Sequence, residues 1–466
     1  MKKLILILLA IGFIAGTGCK KFIEGYDKNP NDPDNVTPAL LLSNAEVAYF
    51  ATMNGQLSRQ SVIMAQQVTG VDFQSKDIND YAIDEATNVN EWDVIYTNGL
   101  VNLKKLYDQA GAENPYYQGM ARVLHAMFLG VTTDLWGDIP NREALKGLDG
   151  PANFNPAYDA QQTVIADIQS YLTEAIALLS KTPAQNTLLP DADDLIYAGD
   201  ADAWIAAAHV LKARYHNRLS KKDATASATD ALASIALAYA AGFTSSDANC
   251  NAIFGANANE YNQWYAFTQV ERQNYIKMGS VLVDTLKADA DPRLSFYCMK
   301  DDSGKYTGTS ASDASASASD VGPYLATANA PFPLVSYAEA KFIEAEAKFR
   351  KADLAGAATA HNEGVLASVL QVTGAAASAA FTTAKASETA ATITLAKIMG
   401  QKYIALFGQI EVYSDWRRTG FPTLTPNSNG SVTVIPRRLP TVLDERLYNT
   451  KAPAENDIKK PVWWDQ

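Results

Sequence analysis

Fifty-one acidic side chains and four histidines are the chain's stock of acids, bases and metal ligands, and no motif organises them. The sequence contains no Gly-x-Ser-x-Gly elbow, Ser-x-x-Lys, Walker loop, His-Glu-x-x-His or Cys-x-x-Cys. His209 and His216 share a helical face by spacing, but no third ligand stands near them in sequence. A glycosidase needs only two carboxylates at the right separation, and sequence cannot select such a pair. Asp27-x-Asn29-x-Asn31 imitates the start of a calcium loop, yet Asp32 stands where glycine belongs and Pro38 where the closing acid belongs. The reading is therefore of no catalytic residue, no metal site and no cofactor.

Aromatic and amide residues in irregular stretches point instead to binding. Asn259-Glu260-Tyr261-Asn262-Gln263-Trp264-Tyr265-Ala266-Phe267 leads into Glu271-Arg272-Gln273-Asn274-Tyr275, and Asp72-Phe73-Gln74 precedes Asn79-Asp80-Tyr81. Flat rings suit the apolar faces of sugars, while amides and arginine bond hydroxyls. The candidate ligand residues are Phe73, Asn79, Tyr81, Trp264, Tyr265, Arg272, Asn274 and Tyr275. The alternative is that these rings pack the loops onto helices. For Trp463-Trp464-Asp465 that alternative is preferred, as a clamp on the C-terminal tail.

The elements that must position these residues read as helices. Trp92, Tyr96, Gly99, Leu103 and Leu106 recur at three-to-four spacing, as do Met120, Val123, Met127, Val131 and Leu135. Val164 to Leu179, Trp204 to Leu219, Ala338 to Phe349 and Leu395 to Ile410 repeat the pattern. Glu344 with Lys348 and Glu346 with Arg350 are expected as pairs on the outer face of their helix. Tyr337 to Gly374, turning near Lys351-Ala352-Asp353, has the small-residue interior of a tetratricopeptide-like unit. Long irregular stretches cover 250–274, 300–334 and 420–465, and Ser310 to Asp320 is expected to be mobile.

At the N-terminus, Met1-Lys2-Lys3, an apolar run from Leu4 to Ala15, and Gly16-Thr17-Gly18 before Cys19 form a secretory leader. The run is short for a permanent span, which takes roughly 20 residues. Acylation of Cys19 would anchor the mature chain. Residues 1–18 are read as signal peptide, 19–36 as a lipidated tether and 37–466 as one domain. The net charge of −12 becomes −14 once Lys2 and Lys3 leave, which argues against nucleic acid. Cys250 and Cys298 then remain, either as a disulfide or as two buried thiols.

Several pieces match one family in order. They are Asp134-Leu135-Trp136-Gly137-Asp138-Ile139-Pro140, Ala203-Trp204 leading to Leu211-Lys212-Ala213-Arg214 and Arg218-Leu219-Ser220, and Asp291-Pro292-Arg293-Leu294. Tyr337-Ala338-Glu339-Ala340, Glu344-Ala345-Glu346-Ala347, Asp415-Trp416-Arg417-Arg418-Thr419-Gly420, Arg437-Arg438-Leu439-Pro440 and Trp463-Trp464-Asp465 follow. The chain resembles the SusD/RagB outer-membrane lipoproteins of Bacteroidetes. The resemblance implies an all-α fold, a tetratricopeptide-like helix-pair scaffold with a loop-rich ligand-binding half. It implies a non-catalytic, surface-facing lipoprotein that delivers oligosaccharide, or in some members peptide, to a TonB-dependent SusC-like transporter. The alternatives from other classes are a helical secreted glycoside hydrolase and a scaffold that only bridges proteins. Lys20-Lys21 depart from the acids that often follow the cysteine in exported members.

Overall fold

The computed structural model describes residues 36–466; the leader, Cys19 and the tether up to residue 35 lie outside the described residues. Helices dominate, as expected. Those of nine residues or more are α1 (Pro38–Asn54), α2 (Gln56–Met64), α3 (Val101–Ala110), α4 (Pro115–Trp136), α5 (Gln161–Leu179) and α6 (Ala201–Arg218), followed by α7 (Ala224–Ala240), α8 (Ser280–Ala288), α9 (Tyr337–Arg350), α10 (Leu354–Thr373), α11 (Leu395–Ala405) and α12 (Glu411–Thr419). Local chemistry sets many of their ends. Thr37, Asp200, Asp223, Ser336, Asp353 and Thr394 each accept a backbone N–H of the first turn. Gly374 and Gly420 close α10 and α12 in the left-handed conformation.

The helices pack as pairs, α4 on α5, α6 on α7 and α9 on α10, and successive pairs meet through α5–α6 and α7–α9. The α9–α10 hairpin is the unit expected from Tyr337 to Gly374, with Ala345, Ala347, Ala357 and Ala360 all buried inside it. Small residues let the helices approach. A Cβ at Gly130 of α4 would lie 1.6 Å from the Tyr215 hydroxyl of α6, which no side chain tolerates.

Three small antiparallel sheets tie the loops to this scaffold. They pair β1 (Val68–Gly70) with β5 (Ile276–Met278), β2 (Ile139–Pro140) with β3 (Tyr158–Asp159), and β4 (Cys250–Ala252) with β6 (Phe332–Val335). The Ser310–Asp320 stretch, expected to be mobile, is instead fastened. Ala311 accepts a hydrogen bond from Asn79, the Ser312 hydroxyl accepts from the Ser428 N–H, and Thr309 and Ser319 pair with backbone of β5. Short polar side chains that destabilise a helix are well suited to such turn bonding.

An ionic spine runs through the helix scaffold. Arg214 of α6 holds Glu339 of α9 through two bonds of 2.7 and 2.6 Å, and Arg218 reaches Asp134 of α4 at 3.0 Å and Glu411 of α12. Arg418 of α12 joins Asp415 at 2.8 Å and Glu346 of α9 at 2.7 Å, while Lys402 of α11 meets Asp415 at 2.7 Å. Glu346 does pair with Arg350, but it is fully buried, correcting its expected place on an outer face. Asn217 of α6 and Arg418 supply its remaining donors, so that face is turned inward. Burial alone would raise the Asp415 carboxyl; Lys402, Arg418 and Arg218 outweigh it and hold it well below the usual carboxylate range. Cys250 and Cys298 are both buried free thiols.

Candidate functional site

The β1–β5 pair brings together two loops just over two hundred residues apart in sequence. Gly70 lies opposite Ile276, and the Val71 N–H donates to the Tyr275 carbonyl at 2.9 Å. Phe73 therefore leaves the end of β1 beside the residue that enters β5. Its ring stacks on Tyr275 with centroids 4.8 Å apart and planes inclined by 22°. Tyr275 in turn meets Phe267 edge-on at 6.1 Å, and the Arg59 guanidinium of α2 sits 4.1 Å above the Phe267 ring. The outer ring, Phe73, is 62% exposed. An aromatic ring presented to water on a stack of rings is an unsatisfied apolar surface, already fixed in place.

Backbone geometry holds the platform in an uncommon shape. Phe73 has φ of +41° and Asn274 of +66°, both left-handed. Asp72 accepts the Phe73 N–H at 3.0 Å, and Lys277 donates to the Asn274 side-chain carbonyl at 3.0 Å. Arg272, Gln273 and Asn274 are exposed in the turn before Tyr275, giving donors and acceptors next to it in the chain.

The eight candidates separate into three groups. Phe73 and Tyr275 form the platform, and Arg272 and Asn274 are exposed in the turn that leads into Tyr275. Tyr265, half-buried, stands edge-on to Tyr261 at 5.0 Å; Tyr261 with Val47, Phe50, Phe254 and Gln263 lines an adjoining hollow of about 420 Å³. The other three are corrections. Trp264 is fully buried, and its indole N–H donates to the Ser58 hydroxyl at 3.0 Å. Asn79 is buried and donates to the Ala311 carbonyl at 2.8 Å, while the Tyr81 hydroxyl accepts from the Asn427 N–H at 2.9 Å. The Trp264 N–H, the Asn79 amide N–H and the Tyr81 hydroxyl find partners within the protein, so these side chains position the loops. Arg59 and Phe267 also belong to the platform, outside the eight candidates. The signal for Arg59 was faint: it is the one charged residue in the helix Gln56–Met64.

The described residues contain no group of three or more histidines, cysteines and acids arranged to hold a metal ion. Burial, then Lys212, pushes His209 below its ordinary value, and His216 lies 3.9 Å from Asp230.

A family model described as SusD-like, "starch-binding associating with outer membrane", matches residues 30–440. The chain belongs to the SusD-like family. Among solved structures, a chitin-binding protein is 25% identical with a TM-score of 0.76, covering 92% of this chain and 100% of that one. A SusD/RagB family protein from Bacteroides thetaiotaomicron is 24% identical with a TM-score of 0.76, covering 92% and 99%. A chitin-binding SusD homolog from Flavobacterium johnsoniae has the same fold at 21% identity and a TM-score of 0.76, covering 92% and 97%. No curated protein matches the sequence.

Within this SusD-like chain the family-marking residues serve the scaffold. Asp134, Arg214, Arg218, Glu339, Glu346, Asp415 and Arg418 are members of the ionic spine. Asp138 accepts the first N–H of α5 at 2.8 Å, and Asp291 is paired with Arg293 at 2.6 Å in full burial. Trp464 is fully buried, with the Arg417 guanidinium 4.7 Å from its ring, and Asp465 bonds Lys221 and Arg437. The terminal clamp is thus built as expected.

Proposed function

We propose that this SusD-like protein is a non-catalytic, glycan-binding lipoprotein of the outer membrane, anchored through acylated Cys19 and facing the cell surface. Residues 37–466 act as one binding domain on a short tether, and captured oligosaccharide passes to a SusC-like TonB-dependent transporter. The single observation that carries the binding role is the exposed Phe73 ring stacked on Tyr275. A pyranose lays its C–H face on such a ring while Arg272, Asn274 and Gln273 at the edge bond its hydroxyls. The family description and the chitin-binding relatives support saccharide over peptide.

Calorimetry with starch- and chitin-derived oligosaccharides tests the reading. Phe73→Ala and Tyr275→Ala are each expected to weaken binding by about 1 kcal/mol or more, with helicity unchanged. Silence toward every saccharide with binding of short peptides would overturn the glycan assignment. Loss of membrane association on Cys19→Ala, and recovery of a β-barrel transporter with the wild-type protein from mild detergent, test the anchor and the delivery role.

A further inference from the structure

A second cleft lies apart from the platform, where the helical turns after Asn88 meet the loop after α4 and the short helix Leu443–Tyr448. Its volume is about 440 Å³, within the range of small-ligand sites. The walls are aromatic. Trp92 and Tyr96 form the floor, with centroids 4.7 Å apart, and Phe154 and Tyr448 stand at the mouth, 59% and 74% exposed.

The charge around this cleft is one-sided. Asp93, Asp444 and Glu445 line it, and no lysine or arginine does. Of the cations close by in sequence, Arg446 pairs with Glu85 and Lys451 with Glu143, and exposed Lys146, between the lining residues Leu145 and Gly147, is not itself part of the lining. Asp93 and Asp444 have no cationic partner among the described residues, and Glu445 is held only by the neutral Tyr158 hydroxyl at 2.9 Å and the Asn449 amide at 3.0 Å. Burial and then the charge of Asp444 raise the Asp93 carboxyl, which places the two acids within each other's field. Unpaired carboxylates beside π faces form a cation-seeking site, because an ammonium relieves the repulsion and gains from the rings together.

We infer that this cleft binds a saccharide bearing a free amine, its ring between Phe154 and Tyr448 and its ammonium toward Asp93, Asp444 and Glu445. A disc-shaped body suits a cleft lined by aromatic rings better than the thin stem of a lysine does, and Asn153 in the lining supplies an amide for hydroxyls, whereas the Asn449 amide is already bonded to Pro156 and Glu445.

Calorimetry on the full mature chain at about pH 6, where a sugar amine carries its proton, uses fully deacetylated glucosamine tetrasaccharide, its N-acetylated counterpart and tetralysine. The deacetylated sugar is expected to bind at least tenfold more tightly than either of the others. Tyr448→Ala and Asp444→Asn, both at the rim, should each weaken it about tenfold, whereas Phe73→Ala should leave it unchanged. Binding lost through Phe73→Ala but kept in Tyr448→Ala would place the amine-bearing sugar on the platform and overturn the second site. Equal affinity for the acetylated sugar, tighter binding of tetralysine, or no binding of the deacetylated sugar would overturn it equally. Failure here leaves the platform reading intact, since that is read with neutral oligosaccharides.

Discussion

Two aromatic residues from the same loop illustrate how residue type separates from residue role. Tyr275 presents its ring beneath Phe73, whereas Trp264 is wholly buried and bonded to Ser58. Trp264→Ala should therefore destabilise the protein by about 3–5 kcal/mol through the cavity it leaves; a urea midpoint equal to wild type would contradict this. Histidines also carry a prediction at this scale. Burial, with Arg122 adding to it, lowers His125 from the ordinary 6.5 to about 3, and burial lowers His361 to about 4. Both are neutral when folded, so the unfolded chain takes up protons first as pH falls below 6.5. Their contribution is flat above that value and is lost on acidification, each approaching about 1.4 kcal/mol per pH unit until the folded value is reached. Urea midpoints at pH 7 and pH 5.5 should differ accordingly, with a shallower change in His361→Gln; a pH-independent midpoint would reject the assignment.

Helix pairing depends on charges that sequence periodicity counts as surface. Glu346 accepts from Asn217 and Arg418 and pairs with Arg350, joining α6, α9 and α12 at one carboxylate. Removing it strands buried guanidinium groups, so Glu346→Ala should cost about 3–5 kcal/mol. Glu344, which pairs with Lys341 and Lys348 nearer the surface, gives a smaller loss on the same change, and the comparison by thermal unfolding checks it. The platform is likewise an outcome of element placement: two three-residue strands decide that Phe73 and Tyr275 meet. Each strand is too short to read from alternation, and the partners are far apart in sequence.

At the scale of the whole molecule, the C-terminal tail returns to the scaffold it left. Trp464 packs against Arg218 and Arg417, and the Asp465 carboxylate binds Lys221 of the α6–α7 turn and Arg437. Deleting residues 463–466 should lower the unfolding temperature and increase hydrogen exchange in α5 and α6 ahead of α10; uniform protection would show that the clamp is dispensable. The amino-acid order alone determined the helical class, the α9–α10 hairpin, the terminal clamp and the family, because helical periodicity, capping residues and motif order are local properties of a chain. Composition also singled out the two loops that form the platform. Tertiary structure decided which of their side chains meet solvent: Trp264, Asn79 and Tyr81 turn inward to protein partners, while Phe73, Arg272 and Asn274 remain outside and Tyr275 is half-buried beneath Phe73. Exposure is a property of what packs on a residue, and here the packing partners, Ser58, Ala311 and Asn427, come from distant parts of the chain.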